Sequence, residues 1–185
     1  MRELTDPRVL RGMAHPFRLA LLELVERRGT LTSAEASAAT GESTASCSFH
    51  LRQLAKYGFL EPAEAPNGRE RPWRRATAGE RIPDADDPQL ARAAADVFAM
   101  LFERLQRDAL RWMETQADLP RSWRRASVVD EELLYLTATE LRELSRAVTD
   151  LFADYRVRTA DTSLRPRASR PVRAAALLFP LPDER

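Results

Sequence analysis

Apolar positions recur at helical spacing along most of the chain. Asp6-Pro7 opens the first run, an Asp cap followed by Pro at the first helical position, and Val9, Leu10 and Met13 give it an apolar side. His15-Pro16 breaks the run, because a residue before Pro is pushed out of the α region. The spacing predicts a second helix over residues 16–28, with Phe17, Leu21, Leu24 and Val25 on its apolar face, Ala20 beside it and Gly29 as its stop. Thr32-Ser33-Ala34-Glu35 has the form of a capping box, and it starts a short Ala-rich helix that Gly41 closes. Ser43 then caps a helix over residues 44–57, whose apolar stripe is Cys47, Leu51 and Leu54. Two such helices across a tight turn make a helix-turn-helix. Gly58 ends the second one, residues 59–61 read as a short strand, Asn67-Gly68 is a hairpin signal, and residues 73–77 read as the returning strand. A helix-turn-helix followed by a hairpin is a winged helix.

The second half has a different rhythm. After a polar linker, Asp87-Pro88 repeats the cap-then-Pro start, and a helix is predicted over residues 88–116. At 1.5 Å per residue it is on the order of 43 Å long. Leu90, Ala94, Val97, Phe98, Leu101, Phe102, Leu105, Ala109, Trp112 and Met113 lie on one side of it. The front end is too small to cover that side, so part of it must meet the C-terminal segment, a second subunit, or both. Leu119-Pro120 ends the helix; Leu133-Leu134-Tyr135-Leu136 reads as a strand; Thr137-Ala138-Thr139-Glu140 is another capping box, with a helix following to about residue 155. Residues 157–170 read as a mobile loop and residues 172–179 as a last strand, ended by Pro180 and Pro182. The expected fold is mainly α with small β (α+β). Residues 1–80 form a winged helix-turn-helix, 81–117 a linker and long dimerisation helix, and 118–185 a small strand–helix–strand segment.

Composition narrows the function. The 185 residues carry 29 basic and 28 acidic groups, a net charge of +1, which argues against a polycationic nucleic-acid coat. The charge is uneven: net +2 over residues 1–80, −4 over 81–156 and +3 over 157–185. A single cysteine, Cys47, excludes an internal disulfide. With neither a signal-peptide stretch at the N-terminus nor an apolar run of about 18 residues, the expectation is a cytoplasmic chain.

Candidate chemistry concentrates in the front end. A recognition helix presents polar groups to base edges near its N-terminus. Ser43, Thr44, Ser46, Phe49, His50, Arg52 and Gln53 lie off the apolar stripe and suit that task. Arg69, Arg71 and Arg74 on the hairpin, with Arg75 beside them, suit phosphates or a minor groove. Metal sites need clustered ligands. Cys47 and His50 are three apart but on different faces of one helix, and His15 sits at a helix junction, so no metal and no cofactor are expected. There is no phosphate-cradling Gly loop, and Asp130-Glu131-Glu132 reads as solvated surface; no enzyme is expected. Phe98, Phe102, Trp112, Trp123 and Tyr135 form an aromatic set that lines either an effector pocket or a core and dimer interface.

Three motifs carry a resemblance. His15-Pro16-Phe17-Arg18-Leu19-Ala20-Leu21-Leu22, the stretch from Ser46-Cys47-Ser48-Phe49-His50-Leu51 through Gly58-Phe59-Leu60, and Gly68-Arg69-Glu70-Arg71-Pro72-Trp73-Arg74 occur in order. Together they resemble the opening helix, recognition helix and wing of the ArsR/SmtB-type winged-helix repressors, over about residues 5–80. The resemblance implies a homodimeric repressor that binds double-stranded DNA at an inverted repeat. Many such proteins sense metals, but this chain has no Cys-x-Cys pair in its recognition region and no His on its long helix, so a non-metal small-molecule effector is expected. The alternative is a protein–protein interaction module that keeps the winged-helix shape without reading DNA.

Overall fold

A computed structural model describes residues 2–64, 71–76, 79–82 and 86–182. The chain is mostly helical with short strands, an α+β fold. Its order is β1 (Arg2–Glu3), α1 (Pro7–Met13), α2 (Pro16–Arg28), β2 (Thr30–Leu31), α3 (Ser33–Thr40), α4 (Thr44–Lys56), β3 (Leu60–Pro62), β4 (Trp73–Arg75), β5 (Glu80–Arg81), α5 (Pro88–Thr115), α6 (Arg121–Ala126) and α7 (Ala138–Ala160). Two compact units emerge. The first is Met1–Leu101 with Tyr155–Pro171, and the second is Phe102–Asp154 with Val172–Arg185.

Local chemistry sets the helix starts. Asp6 accepts from the Arg8 N–H at 2.8 Å and Asp87 from the Gln89 N–H at 2.9 Å. The Thr32–Glu35 and Thr137–Glu140 boxes both close, with each Thr oxygen accepting from the Glu N–H and each Glu carboxylate from the Thr N–H. Each pairing satisfies donors that a helix N-terminus leaves open. His15 is a cap of another kind: its Nδ1 accepts from the Phe17 N–H at 3.1 Å, with Pro16 at the first helical position.

In the first unit, α2, α3 and α4 pack around Leu21, Val25, Leu31, Ala36, Cys47, Leu51 and Leu54, which are fully buried. The buried side of α2 is Leu19, Leu21, Leu22 and Val25, while Phe17 and Leu24 are half-buried and Ala20 is exposed. This stripe is broader than the sequence indicated, because α2 packs against α4 on one side and against β2 and β4 on another. β2, β4 and β3 form an antiparallel sheet in that order, Thr30 opposite Arg74 and Leu60 opposite Arg75. β2 was not expected, and the first strand of the hairpin begins one residue later than expected. β1 pairs in parallel with β5. The start of α5 closes this core with Leu90, Ala93, Ala94 and Val97. At ~1.5–3 kcal/mol for each large apolar side chain removed from water, this cluster carries the unit.

The second unit is built differently. It holds the distal half of α5, α6 and most of α7, and no described side chain in it is buried. Asp108 and Arg173 pair at 2.8 Å. The strand–helix–strand segment is not formed as expected. Its helix is present, but residues 133–136 and 172–179 belong to no strand. A strand needs a ladder partner, and neither segment has one among the described residues. Residues 157–170 also differ from the expected loop. α7 runs to Ala160, a 3₁₀ turn spans Thr162–Leu164, and Arg165 then donates to the carbonyls of Glu26 and Arg27. Low apolar content hid this segment, because polar bonds rather than burial hold it.

Candidate nucleic-acid interface

α3 and α4 are joined by a turn at Gly41, whose φ of 77° lies in the left-handed region that favours glycine. Ser43 then caps α4, its hydroxyl accepting from the Ser46 N–H at 3.1 Å. Burial divides α4 by helical spacing. Cys47, Leu51 and Leu54 are buried, whereas Thr44, Ala45, Phe49, Arg52 and Lys56 are exposed. The exposed series 45, 49, 52, 56 is one continuous stripe.

Most of the expected reading residues lie on or beside this stripe. Ser43 and Thr44 are exposed at the helix start, where free backbone N–H groups also point outward. Phe49 and Arg52 are exposed, and Ser46 and Gln53 are half-buried at the stripe's edges. Arg52 Nε donates to the Ser48 carbonyl at 3.2 Å, which holds the guanidinium stem along the helix. Ala45 and Lys56 were absent from the expected set. The 45–49–52–56 spacing is the signal that finds them. An exposed Ala in the first turn suits a thymine methyl, and a Lys suits a phosphate.

His50 is placed differently from its neighbours. Its ring lies 4.8 Å from that of His15, 5.1 Å from Phe17 and 5.2 Å from Phe49. Its Nδ1 is buried with no hydrogen-bond partner among the described residues. His50 thus joins the recognition helix to the start of α2. Burial lowers its pKa below the usual imidazole value, and His15 and Arg18 lower it further, partly offset by Glu42. Burial likewise lowers the pKa of His15, helped by Arg18. Because His15 Nδ1 accepts a hydrogen bond, its proton sits on Nε2 while the ring is neutral.

The hairpin sorts its arginines by strand alternation. Arg74 points outward and pairs with Glu61, its cross-strand neighbour, at 2.7 Å. Arg75 points inward, its side chain only 8% exposed, and bridges Glu80 and Glu26. It is therefore a packing group that holds α2, β4 and β5 together. Arg71 is exposed and makes no ion pair among the described residues. Arg69 and the Asn67-Gly68 turn lie outside the described residues.

Of the expected effector set, Phe98 and Phe102 are more than half-exposed, Trp112 and Trp123 are half-buried, and Tyr135 is 93% exposed. A cleft of about 290 Å³ in the second unit is lined by Ser145, Val148, Thr149, Phe152, Ala176 and Leu178, none of them in that set. No group of three or more His, Cys, Asp or Glu is placed to hold a metal ion among the described residues. Cys47 is buried, with the Thr40 hydroxyl 3.9 Å from its sulfur. No helix among the described residues is long and apolar enough to cross a membrane.

A family model described as a helix-turn-helix domain matches residues 13–63. That span runs from the end of α1 through β3 and contains the capped turn and the exposed α4 stripe. No curated protein matches the chain. The chain therefore carries a helix-turn-helix domain, the architecture of a DNA-binding regulator, followed by a long helix and a further helical segment.

Proposed function

We propose that this chain is a transcriptional regulator of the ArsR/SmtB type, acting as a homodimeric repressor on an inverted-repeat operator in double-stranded DNA. The observation that carries the reading is the exposed stripe of α4, polar at its capped N-terminus and followed on the hairpin by Arg71 and Arg74. Ser43, Thr44, Ala45, Ser46, Phe49 and Arg52 face base edges, with Gln53 at the margin. Arg69, Arg71, Arg74 and Lys56 meet phosphates or a minor groove. Residues 1–80 read DNA, 81–117 pair the subunits, and 118–185 support the dimer and an effector site. Pairing is supported by the distal half of α5, which leaves Phe102, Leu110 and Met113 more than half-exposed. The effector in this reading is a non-metal small molecule, and Phe98, Phe102, Trp112, Trp123 and Tyr135 are the side chains offered to it.

Selection of bound sequences from random duplex DNA by the full chain tests the reading. The expected product is an inverted repeat whose half-site centres lie about 34 Å apart, one helical turn. Enrichment of a single unrepeated site would remove the dimer. No enrichment at low or moderate salt would leave a protein-interaction module on a winged-helix scaffold.

A further inference from the structure

The second unit contains two stretches that behave like strands without a sheet. Residues 128–136 and 171–182 contain no helix, strand, turn or bend. Among the described residues, no backbone hydrogen bond involves residues 128–136 or 174–182. At about 3.3 Å per residue each arm is long enough for a full ladder of roughly 30 Å. Val129 is 82% exposed, Tyr135 is 93% and Val172 is 70%. Main-chain donors and acceptors left open beside apolar side chains form a template for pairing with another strand.

The side-chain order says what kind of strand these arms become. Leu133-Leu134-Tyr135-Leu136 and Ala174-Ala175-Ala176-Leu177-Leu178-Phe179 are apolar at every position. An alternating strand covers one face only, whereas a continuous apolar run needs cover on both faces. Within one copy Ala176 and Leu178 line a cleft with Val148, Thr149 and Phe152 of α7, yet no described side chain of the second unit is buried, so cover on both faces is not reached. Val128, Val129, Leu133, Tyr135, Val172 and Phe179 are each 65% exposed or more, and a specific interface covers ~800 Å² on each partner. A monomer rarely exposes an apolar patch beyond a few hundred Å².

We propose that the two arms form a sheet with a second copy of this chain, the 128–136 arm of one copy pairing with the 172–179 arm of the other. Charge selects this pairing over like with like. Asp130, Glu131 and Glu132 lie in the first arm and make no ion pair among the described residues. Arg167 precedes the second arm, and Arg173, which opens it, holds Asp108 within one copy. Pairing the first arm with its own copy would set acidic groups against each other, which is unfavourable across a ladder. Crossed pairing forms twice around one two-fold axis, as a closed symmetric interface requires. The proposal rests on the dimeric reading and names which segments build it.

Amide hydrogen exchange on the full chain, taken alongside sedimentation velocity across a dilution series, tests it. The expected result is slow exchange in both arms at concentrations where the chain is dimeric. Dilution should abolish that protection in step with dissociation. Replacing Tyr135 and Leu177 together by Asp should weaken the dimer at least tenfold while α4 amides keep their protection. A dimer whose arms exchange freely would overturn the arm pairing and leave the dimer standing. Arms protected equally in the monomer would show pairing within one chain and overturn the proposal. A chain monomeric at every concentration would overturn the dimeric reading itself.

Discussion

Replacing Arg165 with Met should loosen the C-terminal end of α2. Arg165 lies 139 positions along the chain from Glu26. Its guanidinium nevertheless donates to the Glu26 carbonyl at 2.6 Å, the Arg27 carbonyl at 2.5 Å and the Arg158 carbonyl at 2.7 Å. The last carbonyls of a helix have no partner within it, and they form the negative end of its dipole. One planar cation thus satisfies the ends of two helices. Hydrogen bonds to a charged group contribute ~1.5–3 kcal/mol each. The bond to Glu26 is half-buried and the bond to Arg27 exposed, so the lower end applies, and the two bonds to α2 together contribute about 3 kcal/mol. For a chain of this size each kcal/mol moves the melting point by ~2–4 °C, which gives a fall of roughly 6–12 °C in Arg165→Met. Arg165→Lys keeps the charge but not the fork and should fall between the two. Thermal unfolding followed by circular dichroism gives the shift, and amide exchange in α2 locates it. A Met variant that melts with the parent and leaves α2 exchange unchanged would refute the clamp.

Three further outcomes follow from the geometry. A methyl on Gly12 would fall on the Tyr57 ring, so Gly12→Ala should destabilise by ~1–3 kcal/mol through overpacking. In a Tyr57→Ala background the same change should turn stabilising by up to ~1 kcal/mol, the ordinary helix gain of Ala over Gly; denaturant titration of the four proteins checks the change of sign. Burial lowers the pKa of both His15 and His50 in the folded chain, with Arg18 lowering them further, so as pH falls the unfolded chain takes up its protons first. Their contribution is complete above the ordinary imidazole value of about 6.5 and drains away as pH falls from there through the lowered folded values. A His15→Asn, His50→Gln double variant should flatten stability between pH 7.5 and 5.5 in urea titrations, and an unchanged slope would count against the cluster. Ser43→Ala should cost about 1 kcal/mol of stability. Ser43→Asp should keep the cap yet weaken DNA binding by placing a carboxylate against phosphate, as a paired melting and mobility-shift experiment would show.

What the sequence made legible was local chemistry. The caps at Asp6, Thr32, Ser43, Asp87 and Thr137 all form hydrogen bonds where the side chains foretold them. The Cys47, Leu51, Leu54 stripe is buried as its spacing implied. Each of these features is decided within a turn or two of chain. The readings that failed depend on distant partners. β2 is two residues long, too short for any period to register. α6 has six residues and no apolar stripe. Residues 133–136 and 172–179 have strand composition, but composition does not supply a ladder partner. A helical wheel puts His50 on the polar face of α4, yet its ring is drawn to His15 and Phe17 by packing that no single-helix pattern contains.

The arginine placement links the two halves of the proposed function. Glu61 already neutralises Arg74, and Glu26 and Glu80 hold Arg75. Within the described residues, Arg52, Lys56 and Arg71 are the exposed cations of α4 and the hairpin that make no ion pair there. Each neutralised phosphate adds ~0.9 to the slope of log affinity against log salt, so one subunit that uses Lys56, Arg71, Arg69 and an Arg74 released from Glu61 reaches only ~2–4. That is a weak hold on DNA. Two subunits acting on adjoining half-sites double the slope, and tethering makes the second contact intramolecular. In a chain of net charge +1, the proposed pairing would be the step that turns a few placed cations into useful affinity. In this reading the second unit would then set how tightly the first one binds. Weakening the arms by Tyr135→Asp with Leu177→Asp should halve the salt slope while leaving the preferred half-site unaltered.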